Sequence, residues 1–159
     1  MSHLSQLQTQ HILLADDDKD DCILFKDALD ELPLSAQLTT VRNGEQLMQI
    51  LNSKAQLPDL IFLDLNMPRK NGFECLSEIK QNEKLKQLPV IIFSTSFETE
   101  IVNLLYKNGA QHYICKPNEY AQLLKVIHHV ITITSQLNLS QPPKEEFVLL
   151  PESCYNESK

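Results

Sequence analysis

A chain of 159 residues, 42% apolar and 22% charged, suits one domain with a buried core. Its formal charge of −7 argues against a nucleic-acid footprint and against binding to an anionic membrane surface. No apolar run approaches a bilayer span, residues 1–11 lack a basic-then-apolar signal design, and Cys22, Cys75, Cys115 and Cys154 show neither a close pair nor metal-finger spacing, so a cytoplasmic location with reduced cysteines is expected.

Residues 1–10 form a polar lead-in. His11 to Ala15 reads as a short apolar strand that runs into Asp16-Asp17-Asp18. From Asp20 the period changes, with Cys22, Phe25, Leu29 and Leu32 on one helical face until Pro33 stops it. Gln37 to Arg42 alternates as a second strand, and Asn43-Gly44 is expected to turn the chain. Leu47, Met48 and Leu51 mark a second helix, closed by Asn52-Ser53. Leu60-Ile61-Phe62-Leu63 is a continuous apolar run entering Asp64-Leu65-Asn66-Met67-Pro68, the pattern of a strand buried on both faces and ended by a proline. Asn71-Gly72 is read as another turn, before a helix with Phe73, Leu76 and Ile79 inward. Val90 to Ser94 is a fourth strand, Glu98 to Asn108 a helix stopped by Gly109, and His112 to Cys115 a fifth strand. A last helix carries Tyr120, Leu123, Leu124, Ile127 and Ile131 at helical spacing. Residues 133–159 read as a Pro142-Pro143 linker and one short apolar segment, Phe147 to Leu150, expected to dock on a sheet edge or a helix groove, in this chain or a second copy, because it would otherwise be an exposed patch.

Strands alternating with helices predict an α/β fold, a doubly wound five-stranded parallel sheet of flavodoxin-like order 2-1-3-4-5 with helices on both faces, over residues 11–132. In such sheets the strand ends converge on one rim, where ligands bind. Here that rim collects Asp16, Asp17, Asp64, Ser94 and Lys116. Carboxylates that close repel one another, and a hard divalent cation such as Mg²⁺ relieves the repulsion. With a lysine and a hydroxyl opposite the metal, the pocket suits a phosphoryl group, and a carboxylate at its centre can serve as nucleophile. The three aspartates are expected within a few ångströms of one another, with Lys116 as the only fixed cation nearby.

These stretches, together with Gly109-Ala110 and Tyr113-Ile114-Cys115-Lys116-Pro117, in this order and at these intervals, resemble the receiver domain of bacterial two-component response regulators, in a stand-alone form. The resemblance covers about residues 10–132. It implies that Asp64 is the phosphoacceptor and Asp17 a direct metal ligand, with Asp16 acting mostly through water and the Asn66 backbone carbonyl as a further ligand. Ser94 matches the switch hydroxyl, Lys116 the lysine that pairs with phosphoryl oxygens, and Tyr113 the aromatic rotamer switch. The Lys116–Pro117 bond is expected to be cis. Thr95 follows Ser94 where a smaller residue is common, which could narrow access to the phosphoryl group.

The implied function is that of a phosphorelay signalling protein, not an enzyme with a separate substrate. A sensor histidine kinase supplies the phosphoryl group. The face made by the fourth helix, fifth strand and fifth helix then contacts a downstream protein or a second copy. Two other function classes stand beside it: an Mg²⁺-dependent hydrolase with an aspartate nucleophile, and a degenerate receiver acting only as an interaction module. The hydrolase wants a second carboxylate two residues after the nucleophile, where this chain has Asn66; the intact acidic, hydroxyl and lysine set argues against the degenerate module. Read singly, Asp16 to Asp21 could be a solvated acidic loop, although a calcium loop starting at Asp16 would want glycine where Asp21 stands. His128-His129 read as a solvated or packed pair without an acidic partner.

Overall fold

The computed structural model describes residues 9–53, 56–134 and 140–149. Along them run β1 (Gln10–Ala15), α1 (Lys19–Glu31), β2 (Ala36–Val41), α2 (Gly44–Asn52), β3 (Leu60–Leu63), α3 (Gly72–Gln81), β4 (Val90–Ser94), α4 (Thr99–Lys107), β5 (His112–Cys115) and α5 (Tyr120–Thr134). A 3-10 turn (Lys144–Glu146) and a short β6 (Val148–Leu149) follow. All strands are parallel, in the order β2-β1-β3-β4-β5-β6, so the sheet is the expected doubly wound one with a sixth strand added.

β3 shows why the sheet must be covered twice. Leu60 and Phe62 face the side packed by α1 and α5, whereas Ile61 and Leu63 face α2, α3 and α4, and all are buried. Under α1 and α5, Phe25 meets Phe62 and Phe93 edge-on, with centroids 4.8 and 5.7 Å away.

The two Asn-Gly pairs start helices instead of making turns. Asn43 and Asn71 are N-caps whose side chains each accept from an N–H three residues on, Gln46 and Glu74, at 2.9 Å; Glu74 returns the bond to the Asn71 N–H, completing a capping box. Glycine follows for want of space. A Cβ on Gly72 would stand 2.4 Å from the Asp64 carbonyl oxygen, so α3 begins directly against the end of β3. Gly109, at φ 96°, ends α4 as expected: its N–H reaches the Tyr106 carbonyl and the Ala110 N–H the Leu105 carbonyl, the paired bonds of a Schellman motif.

Beyond α5 the chain returns to the β5 edge. Phe147 is fully buried and meets Tyr106 of α4 edge-on at 5.0 Å. Tyr106 donates its hydroxyl to the Pro142 carbonyl at 2.8 Å, and the Gln141 amide donates to the Tyr106 and Ala110 carbonyls. The Phe147 carbonyl accepts from the Tyr113 N–H at 3.0 Å and from His112 Nδ1–H at 3.1 Å. Val148 and Leu149 then pair with Tyr113 and Ile114. Leu150 and Cys154, and residues 1–8 of the lead-in, lie outside the described residues.

No peptide bond among the described residues is cis, so the expected cis Lys116–Pro117 bond is instead trans, the lower-energy isomer by about 0.5–1 kcal/mol. No helix among them is long and apolar enough to cross a membrane. His128 and His129 are exposed on α5.

Candidate phosphoacceptor site

The backbone ladder continues one residue past each strand and thereby fixes the site. The Asp16 N–H donates to the Val41 carbonyl, the Asp64 N–H to the Ala15 carbonyl and the Lys116 N–H to the Ser94 carbonyl, at 2.8–3.0 Å. Three strand ends thus deliver their polar residues to one rim with little freedom. One carboxylate oxygen from each of Asp16, Asp17 and Asp64 lies within 4.8 Å of the others. Asp16 and Asp64 are buried and Asp17 is exposed.

Lys116 Nζ lies 2.7 Å from Asp16 Oδ2, 2.9 Å from Asp21 Oδ2 and 3.6 Å from Asp64 Oδ2. Phe93 supports it from the apolar side, with its ring centroid 5.4 Å from the ammonium. Burial alone would lower the lysine's pKa, but the hydrogen bonds to Asp16 and Asp21 more than offset it, and on balance the pKa is raised. Asp64 is pushed up to about 6 by burial, with Lys116 pulling the other way and Asp16 adding to the rise. Its ionised form is therefore only partly compensated. A carboxylate cluster in that condition has the oxygen donors and the charge deficit that a hard divalent cation meets, so the residues present fit such an ion.

The expected isolation of Lys116 does not hold. Arg42 reaches the Asp17 backbone carbonyl at 3.4 Å, bringing a second cation to the acidic loop from the end of β2.

Ser94 is fully buried; its Oγ lies 3.1 Å from Ser96 Oγ and accepts from the Ser96 N–H at 3.3 Å. Tyr113 lies wholly inside the protein, with its hydroxyl donating to the Ser96 carbonyl and its ring tilted against Phe97 at 6.0 Å. Burial raises the Tyr113 pKa, against the opposing bonds with Ser94 and Ser96. The Asn66 N–H reaches Asp64 Oδ1 at 3.5 Å. Thr95 is exposed beside Ser94.

Every residue expected at the site is therefore on this rim or, for Tyr113, beneath it. Asp21 and Ser96 were not anticipated. Asp21 stands in the first turn of α1, where an acidic residue is commonplace, and its partner lies 95 residues away.

The response regulator receiver domain family matches residues 12–128. The chain belongs to that family. Among curated relatives, the receiver is similar to response regulator Rcp1 of Synechocystis sp., 34% identical over 124 residues, covering 75% of this chain and 84% of that protein. The phosphorylated cyanobacterial phytochrome response regulator RcpA superposes with a TM-score of 0.76 at 33% identity, over 81% of this chain and 96% of that one. The Mn²⁺-bound form of Rcp1 gives 0.73 at 31% identity, over 84% and 99%. This receiver is thus a two-component response-regulator domain with the fold of those structures.

Proposed function

We propose that this receiver takes a phosphoryl group from a sensor histidine kinase onto Asp64 and converts that charge into a change of its protein-binding face, in the cytoplasm and without turning over a separate substrate. The observation that carries the reading is the buried Asp64 carboxylate 3.6 Å from the Lys116 ammonium, with Asp16 and Asp17 beside it. The similar RcpA has been solved phosphorylated and the similar Rcp1 with Mn²⁺, which supports both the phosphoryl chemistry and a divalent ion. RcpA is a phytochrome response regulator, which favours a phytochrome-type kinase as donor.

An Asp64 carboxylate oxygen attacks phosphorus in line. The P–N bond of the donor phosphohistidine breaks, its electron pair stays on the imidazole nitrogen, which takes up a proton, and an acyl phosphate forms on Asp64. Lys116 pairs with the phosphoryl oxygens as charge spreads over them. Asp16, Asp17, Asp64 and the Asn66 carbonyl would hold Mg²⁺, which neutralises charge on those oxygens when bound. Ser94 donates its hydroxyl to the phosphoryl group, and its link through Ser96 to Tyr113 carries the event to the face made by α4, β5 and α5. That face serves a downstream protein or a second copy. Against a hydrolase, residue 66 is asparagine, whose N–H lies against Asp64 Oδ1 and whose side chain is no acid.

Incubation with a small phosphoramidate and Mg²⁺ tests this. Wild type should gain one acid-stable, base-labile phosphate, and Asp64→Asn none. Rapid release of inorganic phosphate in many turnovers would favour the hydrolase, and no labelling of wild type the degenerate module.

A further inference from the structure

We propose that Asp21 is a positioning residue for Lys116: it holds the ammonium beside Asp16 and is the partner that Lys116 gives up when a phosphoryl group forms on Asp64. The inference rests on the function proposed above and adds a residue to it.

Asp18 and Asp21 occupy the N-cap and third positions of α1, where a full capping box would have each side chain bond the other's N–H. Only half of it is made. Asp18 accepts from the Asp21 N–H at 3.1 Å, but the Asp18 N–H is taken at 3.0 Å by Asp16 Oδ1. The Asp21 carboxylate is thus diverted from its helix to Lys116, at 2.9 Å.

The three carboxylates around Lys116 are not equivalent. Asp16 is fully buried and bonded through both oxygens, one to the Asp18 N–H and one to Lys116. Releasing it would strand a buried charge, which is strongly unfavourable. Asp64 lies at 3.6 Å, beyond a good hydrogen bond. The Asp21 side chain is 32% exposed and rehydrates on release, so it is the least costly partner for Lys116 to leave. A dianion on Asp64 recruits the lysine from Asp21. Until then Asp21 competes for the ammonium and adds its own repulsion, and both effects weaken phosphoryl binding.

Beryllofluoride, which mimics the phosphoryl group on a carboxylate, reads this out when titrated into the full chain with Mg²⁺. Asp21→Asn should bind it about two- to fivefold more tightly than wild type, a size suited to a partly exposed pair. Asp21→Glu, which keeps the charge, should return toward wild type. Asp20→Asn, which removes an exposed charge from the same helical turn, should not change affinity. Equal or weaker binding by Asp21→Asn, or the same gain in Asp20→Asn, overturns the proposal while leaving the phosphoacceptor reading intact; a wild type that binds no beryllofluoride overturns both. Metal-free melts give a second readout. Asp21→Asn should lower the melting temperature more in the wild-type background than in a Lys116→Met background, and equal shifts would show that Asp21 does not hold the lysine.

Discussion

At the rim of the sheet, Asp16, Asp17, Asp21 and Asp64 crowd near one buried ammonium, and burial pushes Asp64 up to about 6. Along the β5 edge, residues 140–149 are fixed by a buried ring and by hydrogen bonds between uncharged groups. The first region is held in place against its own charge by the strands that carry it. The second stabilises what it touches. Removing the Asp64 carboxylate and removing the Phe147 ring should therefore move stability in opposite directions, although both lie on the same sheet.

The largest effect should come from the edge. Phe147→Ala removes a fully buried ring and should destabilise the protein by about 3 kcal/mol, or release the tail if its docking is worth less. Denaturant unfolding reads the first outcome. Hydrogen exchange at the Tyr113 amide, which donates to the Phe147 carbonyl, reads the second. If neither changes, the tail contributes nothing to the fold.

At the rim the sign reverses. The Asp64 pKa rises from 3.8 unfolded to about 6 folded. The folded state therefore binds the proton more tightly, and the stability this lends is complete below about 3.8 and lost as pH climbs through about 6. Asp64→Asn should then stabilise the metal-free protein at pH 7.5 by about 2–3 kcal/mol, and the gain should fade toward pH 4. Mg²⁺ should raise the wild-type melting temperature with the logarithm of its concentration, and Asp17→Asn should flatten that response. A less stable Asp64→Asn protein at pH 7.5 would contradict the picture of a strained rim.

The smallest effect returns to the edge. Burial lowers the His112 pKa, with the Phe147 carbonyl opposing it. As pH falls below about 6.5 the unfolded chain takes up a proton that the folded one resists, so stability is lost on the acid side. His112→Gln should shrink the loss between pH 7 and pH 5.5, measured by paired thermal melts. An unchanged slope would mean that His112 titrates alike in both states.

The same contrast explains what could be read from the sequence. Strands buried on both faces, such as Leu60–Leu63 and Val90–Ser94, announce themselves as apolar runs, and the polar residues that follow them mark the rim. The two Asn-Gly pairs misled because asparagine suits an N-cap as well as a turn; the crowding of Gly44 against the Lys70 carbonyl and of Gly72 against the Asp64 carbonyl distinguishes the two roles. The strand made by Val148 and Leu149 is too short to show a period, although the apolar run containing it signalled a docked segment. Asp21 and Ser96 acquire their partners through the fold, so local pattern gave no notice of them. Nothing in Lys116-Pro117 fixes the isomer.

Because β6 runs parallel to β5, with Val148 opposite Tyr113 and Leu149 opposite Ile114, the chain passes Leu149 heading toward the side where Lys116 emerges. It enters β1 at Gln10 from the other side. For immobilisation or pull-down, an affinity handle joined ahead of Gln10 therefore starts at the end of the sheet away from Asp64. One joined after Leu149 starts on the side of the sheet where Asp64 and Lys116 lie, and there it narrows the approach of any partner to that rim.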